Sequence, residues 1–131
     1  MRLLWLVLLF LLFSSFSYAD EWTSTAYCSC TKCCGKNAKG IMANGERVHS
    51  GAVATNILPL GTVVLVTDNT GSKKVYVVKD RGANYIKKKV RGKTITTPLF
   101  KNAKRLDIFF HSHEEALKYG KKTVNVEILV V

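Results

Sequence analysis

Two aspartates are the side chains of this sequence best suited to transfer a proton. The chain of 131 residues has only 9 Asp+Glu against 20 Lys+Arg, so its carboxylates are few. Asp107 lies inside the apolar segment RLDIFF, where burial of a carboxylate is costly unless it is used or paired. Asp80 follows another apolar segment and opens the turn Asp-Arg-Gly. Both could therefore serve in acid–base chemistry, and the alternative for Asp107 is a pairing with an arginine or with the backbone that closes the fold.

All four cysteines fall within seven residues, at Cys28, Cys30, Cys33 and Cys34. In an exported protein an even number of clustered cysteines typically forms disulfides. Adjacent cysteines rarely bond each other, so two pairings are open: Cys28–Cys33 with Cys30–Cys34, or Cys28–Cys34 with Cys30–Cys33. The alternatives are four free thiols or a zinc site of four thiolates, although zinc sites usually have two separated cysteine pairs. We predict two disulfides.

Two histidines, His111 and His113, flank Ser112 and raise the question of a metal site. They are two positions apart, and the sequence predicts no third ligand near them. We therefore expect both histidines at the solvent edge where a helix begins, and we predict neither a metal nor a cofactor.

The N-terminus has the layout of a secretory signal peptide. A basic start is followed by an uninterrupted apolar run at residues 3–13 and by a polar, small-residue stretch that ends at Ala19. The apolar run is shorter than the roughly 20 residues that a membrane-spanning helix needs. We expect cleavage after Ala19, which leaves residues 20–131 as one exported domain without stable insertion in a membrane.

Composition limits the class of protein. The hydrophobic content of 47%, with 9 Gly and 2 Pro, excludes a disordered chain and a collagen-like repeat. The short length excludes a multi-domain enzyme and a large dinucleotide-binding fold. The formal net charge of +11 favours an anionic partner but does not distinguish nucleic acid, lipid headgroups and acidic polysaccharide.

Short β-rich segments alternate with turns after the N-terminal segment. Strands are predicted at residues 22–27, 52–55, 62–67, 73–79, 105–110 and 124–130, with a hairpin turn at 68–71. One helix is predicted from His113 to Tyr119, because Ser112 and Glu115 match a capping box and Gly120 suits the C-terminal stop. This pattern predicts a mainly β fold, a small β-barrel with one short helix before its last strand.

Several segments form a longer pattern: TAYCSC at 25–30, CCG at 33–35, AVA at 52–54, ILPLGT at 57–62, VVKD at 77–80 and RLDIFFHSHEEAL at 105–117. In this order they resemble the three-aspartate domain family of bacterial cell-wall proteins, related to membrane-bound lytic transglycosylase A. Residues 42–46 and 80–82 are similar to the rare lipoprotein A branch of the same superfamily. The resemblance implies a double-psi β-barrel that cleaves peptidoglycan glycan strands by lytic transglycosylation.

The resemblance also implies roles for individual residues. Asp107 matches the family's catalytic aspartate, and Asp80 matches a supporting aspartate. In the family's reaction one carboxylic acid is enough, because the C6 hydroxyl of the sugar itself attacks C1. The products therefore carry 1,6-anhydro-muramyl ends. Asn56 stands where the family has its first aspartate. With Lys79 and Arg81, it is expected to bind substrate.

The expected partner is a peptidoglycan glycan strand, bound by a monomer in the periplasm or at the cell wall and without nucleic acid. The stretch between the two aspartates is longer than the family leads us to expect, and residues 87–104 are rich in lysine. It is either a clamp on the carboxylates of stem peptides or a solvated basic loop. Two other functions stay open: a non-catalytic wall-binding barrel of the expansin type, and a secreted basic protein that binds nucleic acid or membrane.

Overall fold

The computed structural model describes residues 20–35, 39–83, 85–98 and 103–131, and its main feature is a closed β-barrel. The predicted signal peptide at residues 1–19 lies outside the described residues. Within the described ranges, no helix is long and apolar enough to cross a membrane. The predicted fold class is confirmed, because the protein is mainly β and has one short helix before its last strand.

The elements follow in chain order as β1 (Asp20–Tyr27), α1 (Thr31–Cys34), β2 (Ala52–Ala54), β3 (Val63–Thr67), β4 (Lys73–Asp80), β5 (Tyr85–Val90), β6 (Lys93–Pro98), β7 (Arg105–Phe109), α2 (His113–Tyr119) and β8 (Lys122–Val130). The six predicted strands are confirmed to within two residues at each end. The short helix α1 and the strands β5 and β6 were not predicted.

Six strands close the barrel in the order β1-β7-β2-β4-β3-β8. The pairs β1–β7 and β2–β4 are parallel, and the other neighbours run antiparallel. Between β3 and β4 the predicted hairpin turn is confirmed, because Asp68 Oδ1 accepts hydrogen bonds from the backbone N–H groups of Thr70 and Ser72 at 2.9 and 3.0 Å. The parallel pairs bring segments that are distant in sequence to the same end of the barrel.

Alternate residues of the barrel strands form two apolar clusters on opposite faces of the sheet. The larger cluster fills the barrel with Trp22, Val53, Val64, Val66, Val78, Leu106, Ile108, Val124 and Val126. The smaller cluster consists of Tyr27, Ala54 and Phe109, with Cys33 and Val48 packed against it. Leu106 and Ile108 belong to the barrel core, so Asp107 between them faces the side of the smaller cluster.

Helix α2 has the ends that the sequence predicts. Ser112 Oγ accepts a hydrogen bond from Glu115 N at 3.1 Å, and Glu115 Oε2 accepts one from Ser112 N at 3.3 Å. Gly120 follows the last turn with a φ of 67°, a left-handed value that favours glycine. The capping box therefore fixes where α2 begins, directly after strand β7.

The basic stretch contains a β-hairpin rather than only a loop. Strands β5 and β6 pair antiparallel, with Lys87 opposite Thr96 and Lys89 opposite Thr94. Arg91 and Gly92 form the two-residue turn, and their φ values of 50° and 76° are typical of a type I′ connection. The lysines along this hairpin are exposed.

Candidate functional site

The two predicted catalytic aspartates flank a single residue of strand β2, which lies between β7 and β4 in the barrel. Ala54 pairs with Asp107 of β7 on one side and with Asp80 of β4 on the other. Because β2 lies between them, the backbones of the two aspartates are two strand spacings apart, a distance of roughly 10 Å. The structure therefore brings together two carboxyl groups that lie 27 residues apart in sequence.

An irregularity in the β2–β4 pairing places Asp80 opposite Ala54. Val53 pairs with Val78, but the register then shifts and Ala54 pairs with Asp80 instead of Lys79. A bulge of this kind inserts one residue and redirects the side chains that follow it. Regular pairing would have put Lys79 beside Ala54.

Asp107 is a half-buried carboxyl group with one neutral hydrogen-bond donor. Thr25 Oγ1, on the neighbouring strand β1, donates to Asp107 Oδ1 at 3.1 Å. Burial raises the pKa of Asp107 to about 6, and the charge of Asp80 adds to this, although the Thr25 hydrogen bond and the charge of Arg105 oppose it. Near neutral pH the group can therefore both donate and accept a proton.

Asp80 is held by three hydrogen bonds. Its Oδ2 accepts from the Tyr27 hydroxyl at 2.9 Å, and its Oδ1 accepts from the backbone N–H groups of Ala43 and Arg81 at 2.9 and 2.8 Å. Burial and the charge of Asp80 raise the pKa of Tyr27 far above its ordinary value, so the hydroxyl stays a donor. Sequence analysis missed Thr25 and Tyr27, although both lie in the segment TAYC that carries the resemblance.

A groove of about 320 Å³ opens beside Asp80. Its lining comprises Tyr27, Ser29, Cys34, Lys39, Gly40, Ile41, Val48 and Asp80. Asp107 lies across Ala54 and is not part of this lining. Polar and apolar side chains thus line the groove in similar measure, and an exposed lysine at position 39 lies at its edge.

Lys79, a predicted substrate-binding residue, is paired with an acidic side chain. Its Nζ donates to Glu46 Oε2 at 2.6 Å, and this hydrogen bond lowers the pKa of Glu46. The backbone of the same segment also contacts β4, since Asn44 N donates to Lys79 O at 3.1 Å. Lys79 thus holds the loop around residue 46 beside Asp80.

Arg81 and Asn56, the other two predicted substrate-binding residues, join the loop after β2 to the turn after β4. Arg81 donates through Nη1 to the carbonyl oxygens of Thr55 and Leu58 at 2.7 and 2.8 Å. The Asn56 amide donates to Gly82 O and accepts from Gly82 N, both at 3.0 Å. Both side chains lie near Asp80, and these contacts make them part of the frame around it.

The predicted disulfides are not formed. All four cysteines, each within the described ranges, are free. Both predicted pairings require Cys34, but its thiol donates to the Cys28 carbonyl oxygen at 3.1 Å and lines the groove instead. The short helix α1 directs Cys34 away from the other three sulfurs.

The other three cysteines meet His113. Cys28 Sγ lies 2.9 Å from Cys30 Sγ and 3.1 Å from Cys33 Sγ. His113 Nδ1 lies 3.4 Å from Cys33 Sγ, 3.5 Å from Cys30 Sγ and 3.6 Å from Cys28 Sγ. We name these four residues the thiol–imidazole cluster; their ligand atoms all lie within 4.8 Å of one another.

The prediction that both histidines lie at the solvent edge is therefore correct for His111 and wrong for His113. His111 is exposed, as expected, but His113 is half-buried against three thiols that the sequence separates from it by 80 residues or more. Within the cluster, a hydrogen bond from Cys28 lowers the pKa of the Cys30 thiol, whereas burial raises the pKa of Cys28. The cluster is the part of the described structure whose side chains could hold a metal ion.

No protein-family model matches this chain, and no curated protein matches it. The resemblance to three-aspartate domain proteins therefore stays a hypothesis drawn from the sequence segments that carry it. The residues of the site supply a half-buried carboxyl group at Asp107, a second carboxyl group at Asp80 across Ala54, and a groove next to Asp80.

Proposed function

We propose that the protein is a double-psi β-barrel enzyme that cleaves peptidoglycan glycan strands by lytic transglycosylation, with Asp107 as its general acid/base. One observation carries the proposal. Asp107 is a half-buried carboxyl group whose pKa is raised to about 6, and it lies across Ala54 from a second carboxylate. An acid with such a pKa is well matched to proton transfer near neutral pH.

The reaction needs one proton carrier and no water. Asp107 donates its proton to the glycosidic oxygen while the bond from that oxygen to C1 breaks. The C6 hydroxyl oxygen of the same sugar bonds to C1, and the Asp107 carboxylate takes the hydroxyl proton. The acid is thereby regenerated, and the product carries a 1,6-anhydro end. An intramolecular nucleophile has a high effective concentration, which explains why so sparse a site suffices.

Asp80 assists by its charge. Three hydrogen bonds fix its carboxylate, so its position relative to Asp107 is set before substrate arrives. Its negative charge helps to keep the proton on Asp107. We place the glycan strand along the groove beside Asp80, where Lys39 can meet the carboxylates of stem peptides.

A barrel that binds the wall without cutting it is the second candidate. Two observations favour it: Asp107 does not line the groove beside Asp80, and the Asn56 amide is engaged with Gly82. In that case the carboxyl group of Asp107 would serve the fold through its hydrogen bond with Thr25 and the nearby charge of Arg105. The two candidates differ in whether any glycosidic bond breaks.

Digestion of purified peptidoglycan, followed by mass analysis of the soluble products, tests the proposal. We expect fragments with 1,6-anhydro ends. Asp107→Asn keeps the size and accepts the Thr25 hydrogen bond but cannot deliver a proton to the glycosidic oxygen, so the rate should fall by roughly 10²–10⁴. The matched control is Glu21→Gln, an exposed carboxylate on the neighbouring strand β1, which should keep the wild-type rate.

Three outcomes would contradict the proposal. Products with reducing ends would indicate hydrolysis by two carboxylates, with Asp80 as base or nucleophile. Binding to peptidoglycan without soluble products would establish the non-catalytic barrel. A folded Asp107→Asn variant with wild-type activity would place the site elsewhere.

A further inference from the structure

Four ligand atoms from two distant segments converge at the end of strands β1 and β7. Tyr27 and Phe109 are parallel partners at this end, so the chain leaves both strands side by side. Cys28 follows β1 directly, and His113 begins α2 shortly after β7. The capping box fixes the start of α2 and with it the position of the imidazole. We propose that the thiol–imidazole cluster binds one zinc ion through Cys28, Cys30, Cys33 and His113.

The distances from the imidazole already fit a tetrahedral site. Zinc bonds of about 2.3 Å to sulfur and about 2.0 Å to nitrogen put the ligand atoms of a regular tetrahedron roughly 3.5 Å apart. His113 Nδ1 lies 3.4 to 3.6 Å from the three sulfurs. Three nearly equal distances from one nitrogen place it at the apex above a triangle of thiols.

The Cys28 sulfur lies slightly closer to the other two sulfurs than it would in an occupied zinc site. Cys28 Sγ is 2.9 and 3.1 Å from the other two sulfurs, whereas a tetrahedral zinc–thiolate site separates them by roughly 3.8 Å. These gaps are also well above the roughly 2.05 Å of a disulfide bond. Side-chain movements of less than about 1 Å would therefore complete the zinc geometry without moving the backbone elements.

Hydrogen bonding alone does not account for the convergence. A neutral imidazole has one proton or one lone pair on Nδ1, so it can bond properly to one of the three thiols. Cys28 is only 1% exposed, and its sulfur has no access to bulk water. A cation at the centre would satisfy all four groups at once, and three thiolates with one imidazole are a ligand set that zinc favours.

Local structure explains why these three cysteines are selected. The short helix α1 spans Thr31–Cys34, and its first turn brings the chain of Cys33 back towards Cys30. Cys34, one residue further, points out of the cluster and lines the groove. Cys34 therefore lies in the same seven-residue window as the other three cysteines but is not a ligand of the proposed zinc site.

Binding would proceed without redox change. Three thiols release three protons to solvent, and the zinc–ligand group has a net charge of −1. Four protein ligands leave no open position, so the role is structural and not catalytic. The ion would tie the loop after β1 to the start of α2, and so hold together the two strands that carry Thr25 and Asp107.

Metal analysis of the full chain, purified under reducing conditions and dialysed against zinc-free buffer, tests this. We expect one zinc per chain, and replacement by Co²⁺ should give the thiolate charge-transfer and strong visible bands of a tetrahedral site. Cys33→Ser and His113→Ala should reduce the retained metal from one ion to none. Cys34→Ser and His111→Ala are the matched controls and should retain one ion.

If Cys33→Ser or His113→Ala fails to fold, another variant of a ligand residue still tests the proposal. His113→Cys preserves four ligands, so it should bind one metal ion and shift the Co²⁺ spectrum towards that of four thiolates. Wild-type protein without metal after incubation with zinc under reducing conditions would overturn the proposal. Loss of metal in Cys34→Ser with retention in Cys33→Ser would do so as well. None of these readouts depends on peptidoglycan cleavage.

Discussion

Asp107, with its donor Thr25, and the thiol–imidazole cluster use the same two strands, β1 and β7, in opposite ways. Thr25 and Asp107 face each other within β1 and β7, whereas Cys28 and His113 lie just beyond the ends of these strands. At the aspartates, the protein supplies matched donors to each carboxyl group. In the cluster, one imidazole nitrogen meets three thiols and cannot satisfy them all.

The aspartates find their hydrogen-bond partners within the protein, whereas the thiol–imidazole cluster would gain by binding an ion. Within the described residues, the Asp80 carboxylate accepts three hydrogen bonds, two of them from backbone N–H groups. Asp107 accepts a hydrogen bond from the neutral Thr25 hydroxyl, and its burial, which raises its pKa to about 6, leaves it with a proton to give. Acid should therefore act in opposite directions: it stabilises the folded state through Asp107, and it weakens metal binding by protonating the thiolates.

The largest stability effect should come from removing the charge of Asp107. Its folded-state pKa of about 6 exceeds the ordinary aspartate value, so the folded protein binds more protons than the unfolded chain over the interval between them. The free energy of unfolding contributed by this group therefore rises as pH falls from about 6 to about 4. Asp107→Asn should stabilise the protein by about 1–2 kcal/mol at pH 8 and by almost nothing at pH 4.

Urea unfolding of both proteins at the two pH values measures this difference directly. Taking variant minus wild type removes the contributions of groups with a lowered pKa, such as Glu46 and Asp68, which act in the opposite direction. Equal stability of the two proteins at pH 8 would show that the carboxyl group of Asp107 is not held in an unfavourable setting. The expected contrast between Asp107, whose burial disfavours its charge, and Asp80, which accepts three hydrogen bonds, would then be wrong.

A smaller effect is expected from the β5–β6 hairpin, whose charges are exposed. Lys87 and Lys89 share one face with threonines, while Lys88 and Lys93 share the other with Val90 and Ile95. We expect the face that carries Lys87, Lys89 and the two threonines opposite them to meet the carboxylates of the wall. Replacing Lys87 and Lys89 by Gln should weaken binding to peptidoglycan about 2- to 10-fold and reduce its salt dependence.

The opposite face of the hairpin provides the matched control. Replacing Lys88 and Lys93 by Gln removes the same charge, yet it should leave the affinity within about 2-fold of wild type. Cosedimentation with purified peptidoglycan at low and high salt measures both variants. Equal losses on the two faces would indicate a general charge effect, and no loss on either would indicate a solvated hairpin.

Much of the fold could be predicted from the sequence because its signals are local. Alternating apolar residues mark the barrel strands, and Ser112 with Glu115 marks the start of α2. The hairpin β5–β6 was missed because three consecutive lysines hide the strand pattern. The turn Arg91-Gly92 was its one recognisable signal, and Arg is an unusual residue at a position with a φ of 50°.

The site could be predicted only in part because its geometry depends on distant pairings. Asp107 and Asp80 were identified individually, but their placement on either side of Ala54 depends on the register shift between β2 and β4. In the same way, the window of four cysteines does not reveal that the parallel pairing of β1 and β7 brings His113 to it. Disulfides were predicted from the even number of cysteines, their close spacing and the export signal, whereas the direction of Cys34 decides against both pairings.

The central claim, that Asp107 delivers the proton, is tested most directly by the pH dependence of the release of 1,6-anhydro products. The account predicts a rate that falls with rising pH above about 6, as the acid loses its proton. In Asp80→Asn the same fall should begin at lower pH, because the neighbouring charge that helps to raise the pKa of Asp107 is gone. A wild-type rate that stays constant between pH 5 and 8, or a profile that Asp80→Asn leaves unmoved, would contradict it.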